Sequence, residues 1–238
     1  MSKELIVIIP VYNEEAIIQT VIKDWATTLR GLKIDFELRV YNDGSKDATL
    51  AKLQEIAPIC KELTIIDKLN SGHGPTILQG YRAANSTFVF QVDSDNEIKA
   101  TYFEQLWEER DNYDFIVGRR TFNFKVPIPR KVVSFLAKKS VHFFYGSGIS
   151  DVNVPYRLMR IAKFADIYEA IPLDTFAPNV IISGMAIRRK YKIKDYYVPT
   201  DFRATGTVTI LKMKLLHAAI LSFRQTISFA FNNLREKI

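Results

Sequence analysis

The first 120 residues alternate between short β-branched runs and segments whose apolar residues recur at helical spacing. Leu5-Ile-Val-Ile-Ile9, the stretches Phe36 to Tyr41 and Leu63 to Ile66, and the run ending at Val92 read as buried strands. Between them Glu14 to Leu29 carries Ile17, Ile18, Val21, Ile22, Trp25 and Leu29 on one helical face. Lys46 to Ile56 and Pro75 to Ala84 also read as helices, and a helix near 100–110 and a strand at Phe115 to Val117 continue the rhythm. This order implies an α/β fold, a mostly parallel central sheet with helices on both faces. Strands in such a sheet point the same way, so the loops after their carboxyl ends share one rim, and ligands bind there.

The rim loops are Pro10-Val-Tyr12-Asn-Glu14, Asn42-Asp43-Gly44-Ser45, Asn70-Ser-Gly72-His73-Gly74 and Asp93-Ser94-Asp95-Asn-Glu97. Carboxylates at alternate positions point the same way while the backbone stays extended. Hard oxygen donors with negative charge are what Mg²⁺ or Mn²⁺ needs, and such ions are commonly held by one or two carboxylates plus substrate phosphates. The competing reading of the last loop is a capped turn in which Asp95 or Asn96 bonds local backbone. Asp43 is placed to accept a hydrogen bond from a nucleobase or to form an Asx turn. Tyr12 offers a stacking surface and Glu14 a base or ribose contact, against a plain helix cap at Asn13. Gly72 and Gly74 either let backbone approach a phosphate or form a bare turn, and His73 either reaches a diphosphate from that loop or is incidental there.

Beyond residue 118 the pattern changes. A helix from about Arg130 to Tyr145 places Arg130, Ser134 and Lys138 on one face, with Val133, Leu136, Ala137 and Phe144 forming the apolar side. A helix near 178–190, a strand near 193–198 and a final helix from about Thr209 follow, the last with Met213, Leu216, Ile220, Phe223, Ile227 and Ala230 in a stripe. The formal charge is +7, and no acid occurs from Phe115 to Ser150 against seven Lys and Arg residues, a field that attracts phosphates. A second basic run from Arg188 to Lys194 reads as a helix end, where cations suit the dipole. The single cysteine, Cys60, excludes an intramolecular disulfide and a Cys-based zinc site, and points to a reducing compartment. The N-terminus lacks a signal-peptide pattern, and no apolar run reaches the ~18–20 residues that span a bilayer.

Taken in order and spacing, Pro-Val-Tyr-Asn-Glu14, Asn-Asp43-Gly-Ser-Lys-Asp-Ala-Thr, Asn70-x-Gly-x-Gly and Asp93-Ser-Asp95 resemble glycosyltransferase family 2, an inverting family with the GT-A fold. Val117-Gly-Arg119-Arg, Arg130-x-x-x-Ser134, Asp151-x-x-x-Pro-Tyr-Arg157 and Phe202-Arg203-x-x-Gly206-Thr207 resemble its polyprenyl-phosphate branch, which includes dolichyl-phosphate mannose synthases. The resemblance implies a GT-A domain over 1–208 followed by an amphipathic helix over 209–238. That helix would lie on a membrane surface, pack on its own domain or meet a membrane subunit. It implies that Pro10, Tyr12, Glu14, Asp43, Asp93 and Ser94 bind the nucleotide sugar, and that Asp93 and Asp95, with Glu97 as a third ligand, hold Mg²⁺ or Mn²⁺. Arg119, Arg130 and Ser134 would take the acceptor phosphate, and Asp95, Asp151, Arg157 and Arg203 would act in the catalytic pocket. Asn42 departs from the first Asp of many relatives, Asn153-Val-Pro155 replaces a more usual Gly, and C-terminal transmembrane helices are absent.

The function this implies is metal-dependent transfer of a sugar from a nucleotide sugar to a polyprenyl or dolichyl phosphate, peripherally on the cytoplasmic face of a membrane. GDP-mannose, UDP-glucose and UDP-N-acetylglucosamine are equally compatible donors. One rival is transfer to a saccharide or other hydroxyl, which needs a general base such as Asp151 or Asp174. Another is a non-catalytic nucleotide- or nucleic-acid-binding module, against which the acidic trio argues because it repels a polyanion.

Overall fold

The computed structural model describes residues 3–122, 128–201 and 212–232. The elements run β1 (Leu5–Val11), α1 (Ile18–Gly31), β2 (Phe36–Asp43), α2 (Thr49–Ile56), β3 (Leu63–Lys68), α3 (His73–Ala83), β4 (Phe88–Val92), α4 (Phe103–Glu108), β5 (Phe115–Phe122) and α5 (Ile128–Tyr145). Then come β6 (Tyr156–Arg160), α6 (Ile161–Ala170), α7 (Pro178–Arg188), β7 (Ile193–Thr200) and α8 (Lys212–Asn232). The strands form one seven-stranded sheet in the order β3-β2-β1-β4-β6-β5-β7. Every pairing is parallel except those of β6, which runs antiparallel to both β4 and β5.

The α/β expectation holds because the strands are buried on both faces: every residue of β1 and of β4 is buried. The face predicted for α1 is the one that packs, with Ile18, Val21, Ile22, Trp25 and Leu29 all buried. Each such side chain contributes about 1.5–3 kcal/mol by leaving water. Trp25 meets Phe90 at 5.2 Å and Phe103 at 5.7 Å between ring centroids, and Phe90 meets Tyr156 edge-on at 4.8 Å. This aromatic cluster ties α1, β4, α4 and β6 into one core.

Two elements escaped the sequence pattern, β6 and α6. Tyr156-Arg-Leu-Met-Arg160 does not look like a central strand because Arg157 interrupts it, yet Arg157 is 0% exposed. Its guanidinium donates to the carbonyls of Val154 (3.0 Å), Val152 (3.2 Å) and Asn179 (3.2 Å), which makes a buried arginine tolerable. Helix α1 begins at Ile18 rather than Glu14, because Asn13 takes a left-handed φ of 55° and the chain first turns through residues 12–17.

The apolar faces of the last two long helices match expectation in part: Ala137 and Phe144 of α5 pack against the core and Ala230 of α8 is buried. On α5, Leu136 is exposed, while Ser140, Val141 and Tyr145 are buried. On α8, Ile220 and Phe223 are exposed, while Ala218, Thr226, Phe229 and Ala230 are buried. The two helices pack on each other and on α7: the Tyr145 hydroxyl donates to the Thr226 carbonyl at 2.9 Å, and Arg188 donates to the carbonyls of Phe144 and Ala230. Arg188 therefore closes a helix end, as its position in the sequence suggests. Among the described residues no helix is long and apolar enough to cross a membrane.

Candidate functional site

The carboxyl ends of β1, β2, β3 and β4 lie on one rim, and the side chains there bind the loops to one another. Asn13 donates its N–H to Ser45 Oγ at 3.0 Å and accepts the Lys46 N–H on Oδ1 at 2.7 Å. Glu14 is buried, its N–H held by Thr49 Oγ1 at 2.8 Å, and Glu15 accepts the Ala48 N–H at 2.7 Å. Pro10 ends inside β1, and Tyr12 remains partly exposed at the mouth.

Asn42 explains its own departure from an aspartate. Its amide donates to Asp67 Oδ1 at 2.7 Å and its Oδ1 accepts from Ser45 Oγ. A carboxylate there would face that of Asp67 at hydrogen-bond distance, with no donor between them.

Asp43 is 4% exposed and is engaged within the protein. Its Oδ1 accepts from the Lys68 ammonium and from the Ser71 N–H at 2.9 Å, and its Oδ2 accepts the Gly72 N–H at 2.8 Å. Gly44 makes the approach possible: its φ is +68°, and a Cβ would stand 2.8 Å from the Asn70 nitrogen. Asp43 thus fixes the loop that carries His73. Burial pushes its carboxyl up, but the bonds from Lys68, Ser71 and Thr76 outweigh this and hold it below the ordinary carboxylate value. A depressed folded-state value means the stabilisation is present above the unfolded value of about 4 and is lost as pH falls through the lower folded one. Asp43→Asn is expected to cost about 3 kcal/mol at neutral pH and to flatten the loss of stability below about pH 4. Urea titrations at pH 7, 4 and 3 check both, and parallel acid slopes in the two proteins would contradict the assignment.

The next link is His73. Its Nε2 lies 2.9 Å from Asp93 Oδ1, and the same oxygen accepts Gln91 Nε2 at 3.0 Å. Desolvation by the surrounding loops acts against the imidazolium. With half the side chain still exposed, the charge and hydrogen bond of Asp93, with Asp95 and Asp43 beyond, prevail and raise His73 above the ordinary histidine value. Asp93 Oδ2 makes no hydrogen bond within the described residues.

A cleft at this point is lined by Val92, Asp93, Asp95, Glu97, Ile98, Arg120 and Pro155. Ser94, between Asp93 and Asp95, is buried and is not among the lining residues. Asp95 Oδ1 accepts the Glu97 N–H at 3.1 Å across Asn96, whose φ is 56°, so the local turn and the cleft lining coexist. Among the described residues no three His, Cys, Asp or Glu side chains are arranged to enclose a metal on protein ligands alone. Glu97 lines the same cleft as Asp93 and Asp95, beyond the turn at Asn96. The donor set is all-oxygen and acidic, with Asp93 Oδ2 unengaged, which fits a hard divalent cation whose remaining ligands come from a diphosphate.

The opposite wall comes from β5 and the segment entering β6. Antiparallel β6 begins at this rim, with Tyr156 paired to Val92, and so brings residues 151–155 to the acids. Arg120 donates to Asp151 through Nε (2.6 Å) and Nη2 (3.1 Å), a bidentate pair in which both side chains are largely buried. Burial works against the Arg120 charge, and Asp151, with Asp93 and Glu97 nearby, more than offsets it.

Sequence reasoning selected Arg119 and overlooked Arg120. Along a strand, neighbours point to opposite faces: Arg119 is exposed and lies 4.8 Å over the Tyr197 ring, while Arg120 enters the cleft. Extending the predicted strand past Val117 shows that the two arginines point to opposite faces, but not which of them meets the cleft. Arg157, expected to line the pocket, instead braces residues 152–154 from within the core. Ser134 is exposed on α5 and does not line the cleft. Asp174 is exposed on the loop before α7 and is not among the lining residues. The Arg130 side chain and all of Arg203 lie outside the described residues.

The comparisons bear on the family and the fold. The model of glycosyl transferase family 2 matches residues 6–191. An uncharacterized protein of Methanocaldococcus jannaschii is 27% identical over 95% of this chain and 99% of its own length. An uncharacterized glycosyltransferase of Bacillus subtilis is 29% identical over 64% of this chain. An undecaprenyl-phosphate 4-deoxy-4-formamido-L-arabinose transferase of Proteus mirabilis is 25% identical over 82% of it. The chain spans 48% of the Bacillus protein and 60% of the Proteus one. Among solved structures, glucosyl-3-phosphoglycerate synthase of Mycobacterium tuberculosis, crystallised with Mn²⁺ and UDP-glucose, superposes with a TM-score of 0.69 at 14% identity. The match covers 96% of this chain and 79% of that one, and it establishes the GT-A fold. With the ordered sheet, the acidic loop at its rim and a profile match over most of its length, the chain belongs to glycosyltransferase family 2.

Proposed function

We propose that the protein transfers a sugar from a nucleotide-sugar donor to a polyprenyl phosphate at a membrane surface, with Mg²⁺ or Mn²⁺ bound at Asp93 and Asp95. The observation that carries this reading is the Arg120–Asp151 pair facing the acidic loop. Both oxygens of Asp151 are held by a guanidinium, so it is poorly placed to take a proton from a hydroxyl acceptor. A phosphate monoester needs no base, because its second pKa near ~6 leaves it largely dianionic at neutral pH. It needs positive charge nearby, and Arg120 brings a guanidinium to the cleft wall opposite the acids. Family relatives named as undecaprenyl-phosphate transferases support the same acceptor class.

In this mechanism an acceptor phosphate oxygen attacks the anomeric carbon as the bond from that carbon to the donor diphosphate breaks. A nucleoside diphosphate leaves, and one displacement inverts the centre. The bound metal would supply Lewis-acid stabilisation of the leaving diphosphate. The chain's own residues do the rest. Asp43 fixes the loop carrying His73, His73 and Gln91 hold Asp93, and Arg120 presents positive charge opposite the acids. Tyr12, Glu14 and Asp43 border the place for the nucleoside. Arg130, Ser134 and Arg203 remain proposed contacts for the acceptor or the pocket, and Arg119 is left out of this set because it lies over Tyr197 on the exposed face of β5.

The α5–α8 pair fits the membrane. Phe135, Leu136, Phe143, Ile220, Phe223 and Phe231 are exposed on it, and Lys138, Lys139 and Arg224 are exposed among them. Apolar side chains interleaved with cations suit an anionic interface on the cytoplasmic side.

One assay tests both parts, with GDP-mannose, UDP-glucose and UDP-N-acetylglucosamine as donors and Mn²⁺ or Mg²⁺ added. Transfer is expected to a short-chain polyprenyl phosphate but not to the corresponding polyprenol or to free saccharides. With long-chain lipid phosphate in anionic vesicles, Phe143→Ser is expected to reduce transfer about tenfold and to leave the water-soluble short-chain acceptor unaffected. Transfer to a saccharide hydroxyl instead would overturn the acceptor, and equal vesicle rates would overturn the membrane face.

A further inference from the structure

Gln91 is a polar residue in the middle of a strand that is otherwise Phe, Val, Phe and Val, and it is 0% exposed. Burying an amide costs free energy unless its donor and acceptor are both used. Here both are used, in different directions. Oε1 accepts Asn179 Nδ2 at 2.9 Å and lies 3.2 Å from the Tyr81 hydroxyl, while Nε2 donates to Asp93 Oδ1 at 3.0 Å. The Tyr81 hydroxyl also lies 3.0 Å from Asn179 Oδ1, so Gln91, Asn179 and Tyr81 close a triangle. Tyr81 and Asn179 are as buried as Gln91.

The triangle removes the freedom of the amide. The side chains arrive from three elements: Gln91 from β4, Tyr81 from α3 and Asn179 from α7. Turning the Gln91 amide over would set its oxygen against the Asp93 carboxylate and its NH₂ against that of Asn179. Only one orientation satisfies all partners, and it aims a donor at Asp93. Gln91 and Asp93 are two residues apart, the spacing that keeps side chains on one face of a strand. His73 reaches the same Oδ1 from the solvent side. One carboxylate oxygen is thus held from two sides, and Oδ2 is left toward the cleft.

We propose that Gln91 is the positioning residue for Asp93: the buried Gln91–Asn179–Tyr81 triangle locks one oxygen of Asp93 and presents the other to a divalent cation. The inference deepens the metal-dependent reading above and rests on it. A merely structural amide would stabilise the fold, whereas a positioning amide changes how well Asp93 binds a metal ion. Partners that orient metal-binding side chains typically change metal affinity 10- to 100-fold when removed.

The test compares the wild-type chain with Gln91→Met and Gln91→Glu. Met keeps the length of the side chain and loses the donor. Glu keeps an acceptor for Tyr81 and Asn179, so the triangle can still form, but it sets a carboxylate against Asp93. Mn²⁺ affinity is measured by electron paramagnetic resonance in the presence of UDP and, separately, GDP, with a thermal melt of each protein and nucleotide affinity without metal. The expected result is Mn²⁺ affinity about tenfold weaker in Gln91→Met and about 100-fold weaker in Gln91→Glu, with metal-free nucleotide affinity unchanged. Wild-type Mn²⁺ affinity in Gln91→Glu, or in a folded Gln91→Met, would overturn the positioning role while leaving the metal site standing. Failure of the wild-type protein to bind Mn²⁺ with either nucleotide would overturn the metal reading itself, and this inference with it.

Discussion

Asp93→Asn is expected to lower metal-dependent sugar transfer by about 10³-fold, equivalent to about 4 kcal/mol, without unfolding the protein. The substitution changes charge and almost nothing else. Asparagine still offers an oxygen to Gln91 Nε2, which now donates to Asp93 Oδ1 at 3.0 Å. The Asp93 side chain is 32% exposed, so no buried ion is stranded. Removing one of several crowded acids relieves repulsion but also takes the carboxylate from His73, and the melting temperature is expected to change little. The loss falls on the leaving group: a nucleoside diphosphate departs with its charge uncompensated when the metal is no longer held. Initial rates across a Mn²⁺ titration check this, since saturating Mn²⁺ should not restore the rate. A variant within tenfold of wild type at saturating Mn²⁺ would remove Asp93 from the proposed metal site.

The second large effect belongs to Arg120. Arg120→Leu is expected to raise the KM for the lipid phosphate about 100-fold while leaving donor affinity within about threefold. The side chain is a cation lining the cleft with Asp93 and Glu97, and its Nε and Nη2 hold Asp151 in a two-pronged pair. Its removal also leaves Asp151 largely buried without its partner, at a cost of about 2 kcal/mol after allowing for residual solvent contact. Arg120→Lys should recover charge but not the fork, and so only part of the activity. Arg119→Ala is the control. It removes a cation stacked on Tyr197 at the exposed face of β5 and should change KM less than threefold. Acceptor kinetics for the three variants decide the matter, and a larger loss at Arg119 than at Arg120 would return the acceptor phosphate to the other face of the strand.

The contrast between these two arginines shows where reading the chain reaches its limit. The repeating units β1-α1-β2-α2-β3-α3-β4 were legible because each obeys a local rule. Parallel strands buried on both faces are continuous apolar runs, and α1 buries the stripe that its periodicity marks. The loops carrying Asn13, Asp43, Gly72 and Asp93 could be assigned to one rim because parallel strands leave no other place for them. β6 could not be read that way. It is a central antiparallel strand with a buried arginine at its second position, and Arg157 is tolerated only because Val152, Val154 and Asn179 lend it carbonyls.

The chain's own order of residues determined the α/β alternation, the acidic loop after β4 and the basic stretch that follows. Each is a matter of composition and period within about 20 residues. Tertiary structure alone decided which charges meet. Asp151 reaches Arg120 because β6 reverses direction at the rim, across 31 residues of chain. Gln91 reaches Tyr81 and Asn179 because α3 and α7 pack on one face of the sheet, and the second partner lies 88 residues away. Which of two adjacent arginines enters the cleft depends on the parity of β5, and that parity is set by its register against β6 and β7. A hydrogen bond acts over about 3 Å, so its partners are chosen by packing rather than by proximity along the chain.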